Sequence, residues 1–363
     1  MWPYEQLQKV PFVKPEKKLK HQAFIELNQK LVAFFYENFS YQTWHSFRLI
    51  AIDGSIGQLP RIEEIANHFG VWNPAKGQPC PMARISQIFD VLNKLTVDVI
   101  INPKEYGERI LAAQHIRNIG PETLMLLDRG YLAFWLFALI LSKDAHFCAR
   151  VTSRHLKIIR KFYNSGKKEK IILLPPSAAS IKQCQQMGLS IKPLKLRLVR
   201  VELDTGETEI LITSLLDYKA YPHEIFKELY QRRWPIEEDY KIMKCRVEVE
   251  NFSGKSVESV YQDFHAKVFI MNLTAALAYP TREIIEQESQ HKKYSYQINF
   301  TQALSKIKDT VVLLFNRSNI LELLSKLFDL FIKTVEPIRP KRRYPRKKGV
   351  QRKSFFLSYK PIR

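Results

Sequence analysis

Apolar positions recur at helical spacing over the stretch AFIELNQKLVAFFYE and predict an amphipathic helix. FRLIAIDGS, residues 47–55, reads as a short apolar strand ending at Asp53. Residues 83–102 predict two strands joined near Asn93-Lys94, with a helix to follow over about 104–117. TLMLLDRGY gives a further strand that ends at Asp128. YLAFWLFALILS is apolar nearly all round, which predicts a buried helix, and HFCARV predicts the next strand.

From residue 154 to 220 the character changes. Lysines, Pro175-Pro176 and Ser-rich turns appear, then PLKLRLVRVEL and ETEILITSLL alternate about Asp204-Thr205-Gly206. That turn signal predicts a β-hairpin, and the stretch is expected as a β-rich insertion. Helical pattern returns over 222–244, 256–279 and 301–332, the last Leu-rich. No internal repeat is visible.

The length of 363 residues suggests roughly two domains, and 45% hydrophobic with 26% charged residues is a globular composition. Disordered chains, collagens and disulfide miniproteins are excluded. Charge changes the picture more. Lys plus Arg number 57 against 36 Asp plus Glu, a formal +21, which points to a polyanionic partner. Residues 333–363 hold 12 Lys or Arg and one Glu, a basic tail suited to contact with a nucleic-acid backbone. The four cysteines are far apart, without zinc spacing, and suit a reduced, cytoplasmic setting. There is no signal-peptide core, and the run Leu132–Leu141 is too short for a bilayer span of about 20 residues. No membrane role is expected.

Chemistry concentrates at three places. Asp53 and Asp128 each follow an apolar strand, where a carboxylate is held rigidly at a sheet edge, as a hard cation such as Mg²⁺ requires. Either aspartate alone is also what a turn or helix cap carries. The third place is LYQRRWPIEEDYKIMK, in which Tyr230, Arg233, Glu237 and Lys244 fit Y-x2-R-x3-E-x6-K. Pro235 is expected to open a helix at its first position, because the residue before a proline resists helical geometry. Glu237, Lys241 and Lys244 then share one face. Glu237 is placed to complete a metal site, the lysines to face an anion, and Arg233 to grip a phosphate bidentately. An ordinary charged helix with i,i+4 pairs has the same look. The basic residues Arg150, Arg154, Lys157, Arg160 and Lys161 flank a DNA path or form a solvated face. His45, His68, His146 and His223 have no ligand spacing.

Together these residues resemble DDE-type bacterial transposases of the insertion-sequence-four family. IDGS at 52–55, LLDRGY at 126–131, the Tyr230/Arg233/Glu237/Lys244 signature and ENFSGKS at 250–256 carry the resemblance, in matching order. It runs from about residue 46 to 280. The spacing to Tyr230 and Arg233 selects Glu237 over its neighbour Glu238.

The resemblance implies an α/β fold: an RNase H-like mixed sheet flanked by helices and interrupted by the β-rich insertion. It implies that Asp53, Asp128 and Glu237 are catalytic and hold two Mg²⁺ ions, with Mn²⁺ able to substitute. Tyr230, Arg233, Lys241 and Lys244 would meet DNA. Trp234 would stack on an unpaired or flipped base or, equally well, anchor the helix start in the core. The implied partners are the element's terminal repeats and target DNA, with a dimer in the DNA complex. The expected organisation is a shortened N-terminal helical arm (1–45), the first part of the core (46–153), the insertion (154–220), the core with its Glu-bearing helix (221–280), C-terminal helices (281–332) and the basic tail (333–363). Family members generally carry a longer helical N-terminal region that recognises terminal repeats, whereas 52 residues precede Asp53 here. The competing reading is a domesticated or decayed DNA-binding protein without catalysis.

Overall fold

A computed structural model describes residues 19–73, 78–152, 156–316 and 319–339. Helix α1 (Gln22–Asn38) precedes β1 (Arg48–Gln58), then α2 (Glu63–Phe69) and a short β2 (Val71–Trp72). Strands β3 (Cys80–Asp90) and β4 (Leu95–Pro103) form a hairpin whose turn places Lys94 at φ 60°. Helix α3 (Glu108–Ile116), β5 (Thr123–Leu127), α4 (Phe134–Leu141) and β6 (His146–Val151) follow. Then come α5 (Lys157–Asn164), β7 (Glu169–Leu174), α6 (Ala178–Gln186), β8 (Leu194–Glu202) and β9 (Thr208–Thr213). The β8–β9 turn contains Gly206 at φ 80°, a left-handed conformation that glycine adopts without strain. Helices α7 (Ile225–Gln231), α8 (Pro235–Cys245), α9 (Val257–Ala278) and α10 (Thr281–Ser289) come next. The described chain ends with β10 (Tyr296–Ile298), α11 (Phe300–Asn316), α12 (Ile320–Lys333) and β11 (Val335–Pro337).

Nine strands make one mixed sheet among the described residues. Its order is β2-β3-β1-β5-β6-β9-β8-β7, with β4 on the remaining side of β3. Strands β1, β3 and β4 are an antiparallel meander, and β5 and β6 run parallel to β1. A three-stranded meander continued by two parallel strands through helical crossovers is the RNase H-like arrangement that the resemblance implied. The expected insertion holds three strands, which extend this same sheet because β9 pairs antiparallel with β6. In sequence α5 precedes β7, and α6 lies between β7 and β8.

Alternation along the central strands divides the core in two. Leu49 and Ala51 of β1, and Leu124 and Leu126 of β5, pack on one face with Phe226, Ile236, Met243 and Phe264 from α7, α8 and α9. Ile50 and Ile52, with Met125 and Leu127, pack on the other face against α3 and α4. Helix α4 is buried along nearly its whole length, which is why it lacks a polar stripe. Asp53 and Asp128 continue the odd and even series that face α7 and α8.

Strand β1 does not end at Asp53. Its parallel pairing with β5 stops at Ala51–Leu126, but antiparallel pairing with β3 continues through Asp53–Gln87 to Gln58–Met82. Asp53 therefore lies mid-strand, on backbone supported from one side. No helix among the described residues is long and apolar enough to cross a membrane. Cys80, Cys148, Cys184 and Cys245 are all free.

Candidate active site

Strand register builds the site. Parallel pairing matches Arg48 with Thr123 and Ala51 with Leu126; the same offset, two residues on, sets Asp53 beside Asp128. Pairing of β5 with β6 matches Leu127 with Ala149, so one further step sets Asp128 beside Arg150. Gln87 faces Asp53 from the opposite neighbour. A polar row, Gln87–Asp53–Asp128–Arg150, thus crosses an otherwise apolar sheet face.

Each member of the row is fixed locally. The Asp53 carboxylate accepts from the Gly54 N–H at 2.9 Å. Gly54 is closely approached: a Cβ there would stand 3.2 Å from the Glu108 side chain, which pairs with Arg84 at 2.7 Å and would have to give way slightly. Asp128 leaves β5 as the cap of a short 3-10 turn, Arg129–Tyr131, and accepts from the Arg129 N–H. Arg150 reaches Asp128 at 3.2 Å and Glu209 at 2.7 Å.

Helices α7 and α8 cover the row. Pro235 opens α8 at its first turn as expected, but Trp234 before it is itself helical, at φ −58° and ψ −33°. The link between the two helices is therefore one tight turn carrying Arg232, Arg233 and Trp234. Helix α8 is pinned to β1 at two points: the Tyr240 hydroxyl donates to the Asp53 carbonyl at 3.0 Å, and the Lys244 ammonium donates to the Ile56 carbonyl at 2.6 Å. Gln87 donates to Asp239 at 2.7 Å from below the helix. These contacts bring Glu237, one turn before Tyr240, over the aspartates.

The charges of Asp128 and Glu237 both bear on Asp53. Burial pushes Asp53 up to about 6, and the charges of Glu237 and Asp128 add to it against the Gly54 N–H and the Arg233 guanidinium. Burial also raises Asp128, but the Arg129 N–H, Arg150 and Arg233 outweigh it and hold the group below its ordinary value. Arg233 pairs with Glu237 at 2.5 Å and with Asp53 at 3.8 Å. Among the described residues no three His, Cys, Asp or Glu side chains form a ready metal-ligand set. The donor chemistry nonetheless suits a hard cation: three carboxylates from three elements, one of them raised to about 6 chiefly by burial.

The remaining sequence candidates divide. Tyr230 is buried and donates to the Leu127 carbonyl at 3.2 Å, bracing the end of β5. Lys241 is exposed, and Lys244 also pairs with Glu250 at 3.6 Å. Trp234 is 51% exposed, so its ring is not a core anchor. Arg150 belongs to the site rather than to a flanking basic face, while Lys157, Arg160 and Lys161 are exposed on α5. Arg154, residues 1–18 of the expected arm, and the tail beyond Arg339 lie outside the described residues. Sequence reasoning missed Tyr240, Gln87, Asp239 and Glu209. Tyr240 alone had a signal, one helical turn beyond Glu237.

A family model described as "Transposase DDE domain" matches residues 44–273. Transposase InsG for insertion sequence element IS4 of Escherichia coli K12 is 23% identical over 349 residues, covering 93% of this chain and 76% of that protein. Among solved structures, the piggyBac transposase synaptic complex with hairpin DNA is similar at a TM-score of 0.43 and 10% identity. That similarity covers 82% of this chain, which spans about half of the piggyBac chain, 55%.

Proposed function

The chain belongs to the transposase DDE domain family, and from that premise we propose that it cuts and joins DNA at the ends of an insertion sequence, with Asp53, Asp128 and Glu237 as the Mg²⁺-binding catalytic residues. The observation that carries this reading is the strand register, which sets Asp53 beside Asp128 beneath the helix bearing Glu237. When bound, two Mg²⁺ ions, or Mn²⁺ in their place, supply the Lewis acidity that activates the attacking oxygen and steadies the leaving one. The protein's part is to hold the three carboxylates in one orientation. Arg150 and the Arg129 N–H keep Asp128 ionised, and Tyr240 and Lys244 fix α8 against β1.

The reaction is a direct displacement at phosphorus. Water attacks first, breaking one P–O bond and leaving a 3′-hydroxyl. That hydroxyl then attacks a target phosphodiester. No covalent bond to the enzyme forms. Arg233, Lys241 and Lys244 engage phosphates near the cut, Tyr230 braces the strand that presents Asp128, and Trp234 stacks on an unpaired base. Two copies bring two DNA ends together.

The test uses a plasmid carrying the gene with its flanking DNA, incubated with the protein and Mg²⁺. Excision and strand-transfer products are expected. D53N, D128N and E237Q should each lower their rate by at least roughly 10²–10³, the scale for losing a principal electrostatic element. Cutting without joining would point to a stand-alone nuclease. DNA binding with no metal-dependent cutting would favour the non-catalytic reading.

A further inference from the structure

An arginine that grips DNA phosphate belongs at an open surface, yet the Arg233 side chain is 5% exposed. Its guanidinium is spent on Glu237 at 2.5 Å and Asp53 at 3.8 Å. Even so it is poorly satisfied: Nε and Nη1 are buried without an acceptor among the described residues. Buried guanidinium donors without acceptors are costly, and Arg233 leaves two of them so, where Arg48, Arg84, Arg150, Arg197 and Arg232 each leave Nε alone. The nearby cations are likewise engaged with the protein. Arg150 is held by Asp128 and Glu209, and Lys244 by the Ile56 carbonyl and Glu250.

We propose that Arg233 is a placeholder cation, which neutralises Asp53 and Glu237 until divalent ions bind those carboxylates and is thereby released to a DNA phosphate. The inference rests on the reading of Asp53, Asp128 and Glu237 as the metal ligands. Arg233 holds Glu237 Oε1 and lies nearest Asp53 Oδ2, so a divalent ion taking those oxygens competes with the guanidinium, and the two like charges repel in a desolvated site. Ion binding therefore drives Arg233 off. Release needs only rotation of a long side chain on the turn before α8, beside the exposed Trp234. Because coupling is reciprocal, a phosphate that captures Arg233 uncovers the carboxylates, so DNA and metal each strengthen binding of the other.

A placeholder and a supporting residue predict opposite signs. Mn²⁺ binding is measured by calorimetry on the full chain without DNA at pH 8. Arg233→Gln should bind Mn²⁺ more tightly than the wild type, by about fivefold or more, the low end of ordinary site coupling. Arg233→Lys, which keeps the charge, should stay near the wild type. Equal or weaker binding by R233Q overturns the proposal. If R233Q does not fold, the wild type decides: the Arg233 Nε–H resonance should shift when Mg²⁺ is added, and a resonance that stays in place while Mg²⁺ binds overturns it. Asp53→Asn and Glu237→Gln separate the two levels of inference. If both bind Mn²⁺ as well as the wild type, the metal-ligand assignment fails and Arg233's role with it. If they lose binding while R233Q gains none, the placeholder alone fails.

Discussion

Asp53 should make the metal-free protein less stable, and replacing it should stabilise the fold while removing activity. Its carboxyl lies at about 6 in the folded protein, against an ordinary 3.8. At 1.36 kcal/mol per pH unit, that difference is worth about 3 kcal/mol, somewhat less after solvent screening of a side chain 26% exposed. The attraction of Arg233 is already included, because it acts on the same carboxylate. Below pH 3.8 the group is neutral in both folded and unfolded chains, and its protonated form contributes in full. As pH rises the unfolded chain ionises first, the contribution is lost between about 3.8 and 6, and above 6 the folded protein carries the whole cost. Asn never ionises, and its side-chain oxygen can still accept from the Gly54 N–H. In EDTA, D53N should therefore match the wild type near pH 4 and exceed it by about 2–3 kcal/mol at pH 8. At about 2 °C per kcal/mol for a chain of this size, that is a Tm higher by about 5 °C. Thermal and urea unfolding across the pH range check it. A D53N protein no more stable at pH 8, or equally stabilised at pH 4, would refute the assignment of this cost to a buried carboxylate.

Two further outcomes follow from burial. Trp234→Ala should change stability by no more than about 0.5 kcal/mol, since the ring is half exposed. It should weaken binding of DNA with an unpaired base by about 1–3 kcal/mol and leave paired duplex unaffected, as fluorescence anisotropy would show; equal loss on both DNAs would remove the stacking role. Arg197 is fully buried, pairs with Glu169, donates to the Tyr221 carbonyl at 2.7 Å and lies against the Tyr218 and Phe226 rings. Glu169→Ala should cost about 3 kcal/mol in urea unfolding by stranding that charge, and adding Arg197→Met should recover most of it; a cost under about 1 kcal/mol would contradict the pairing.

Local pattern carried the elements and singled out Asp53 and Asp128, whose charges the fold brings within reach of each other. The 3.6 period of α1, the all-apolar α4 and the Asp204-Thr205-Gly206 turn are each decided by residues close in sequence, and the structure places them as read. Asp53 and Asp128 were legible because each interrupts a run of buried apolar residues. What local pattern could not carry was register between strands distant in sequence. The continuation of β1 past Asp53 depends on its partner β3, about thirty residues on. That β9 joins β6, making the expected insertion an extension of the main sheet, depends on a pairing across sixty residues. Arg150 read as surface charge for the same reason: only the β5–β6 offset reveals that it stands beside Asp128.

Arg233 is the sharper case, because the sequence places it one turn from Glu237 but does not show its burial. Spacing within one helix–turn–helix stretch shows that Arg233 and Glu237 are one turn apart, which is ordinary i,i+4 pairing. On an exposed helix such a pair contributes a few tenths of a kcal/mol and constrains nothing. Here α7 and α8 are clamped to the sheet by Tyr230, Tyr240 and Lys244, which carries the pair out of solvent and onto Asp53. Desolvation strengthens what would be a weak surface contact, and on the proposed reading Arg233 then competes for the oxygens that a metal would take. The consequence runs in one direction: whatever holds α8 down strengthens Arg233's grip on the carboxylates, so loosening the clamp should ease metal entry. Tyr240→Phe removes one clamp by a single hydroxyl and leaves the buried ring in place. Its Mn²⁺ affinity without DNA should rise toward that of R233Q; a fall instead would mean that the clamp serves the ligands and not the arginine.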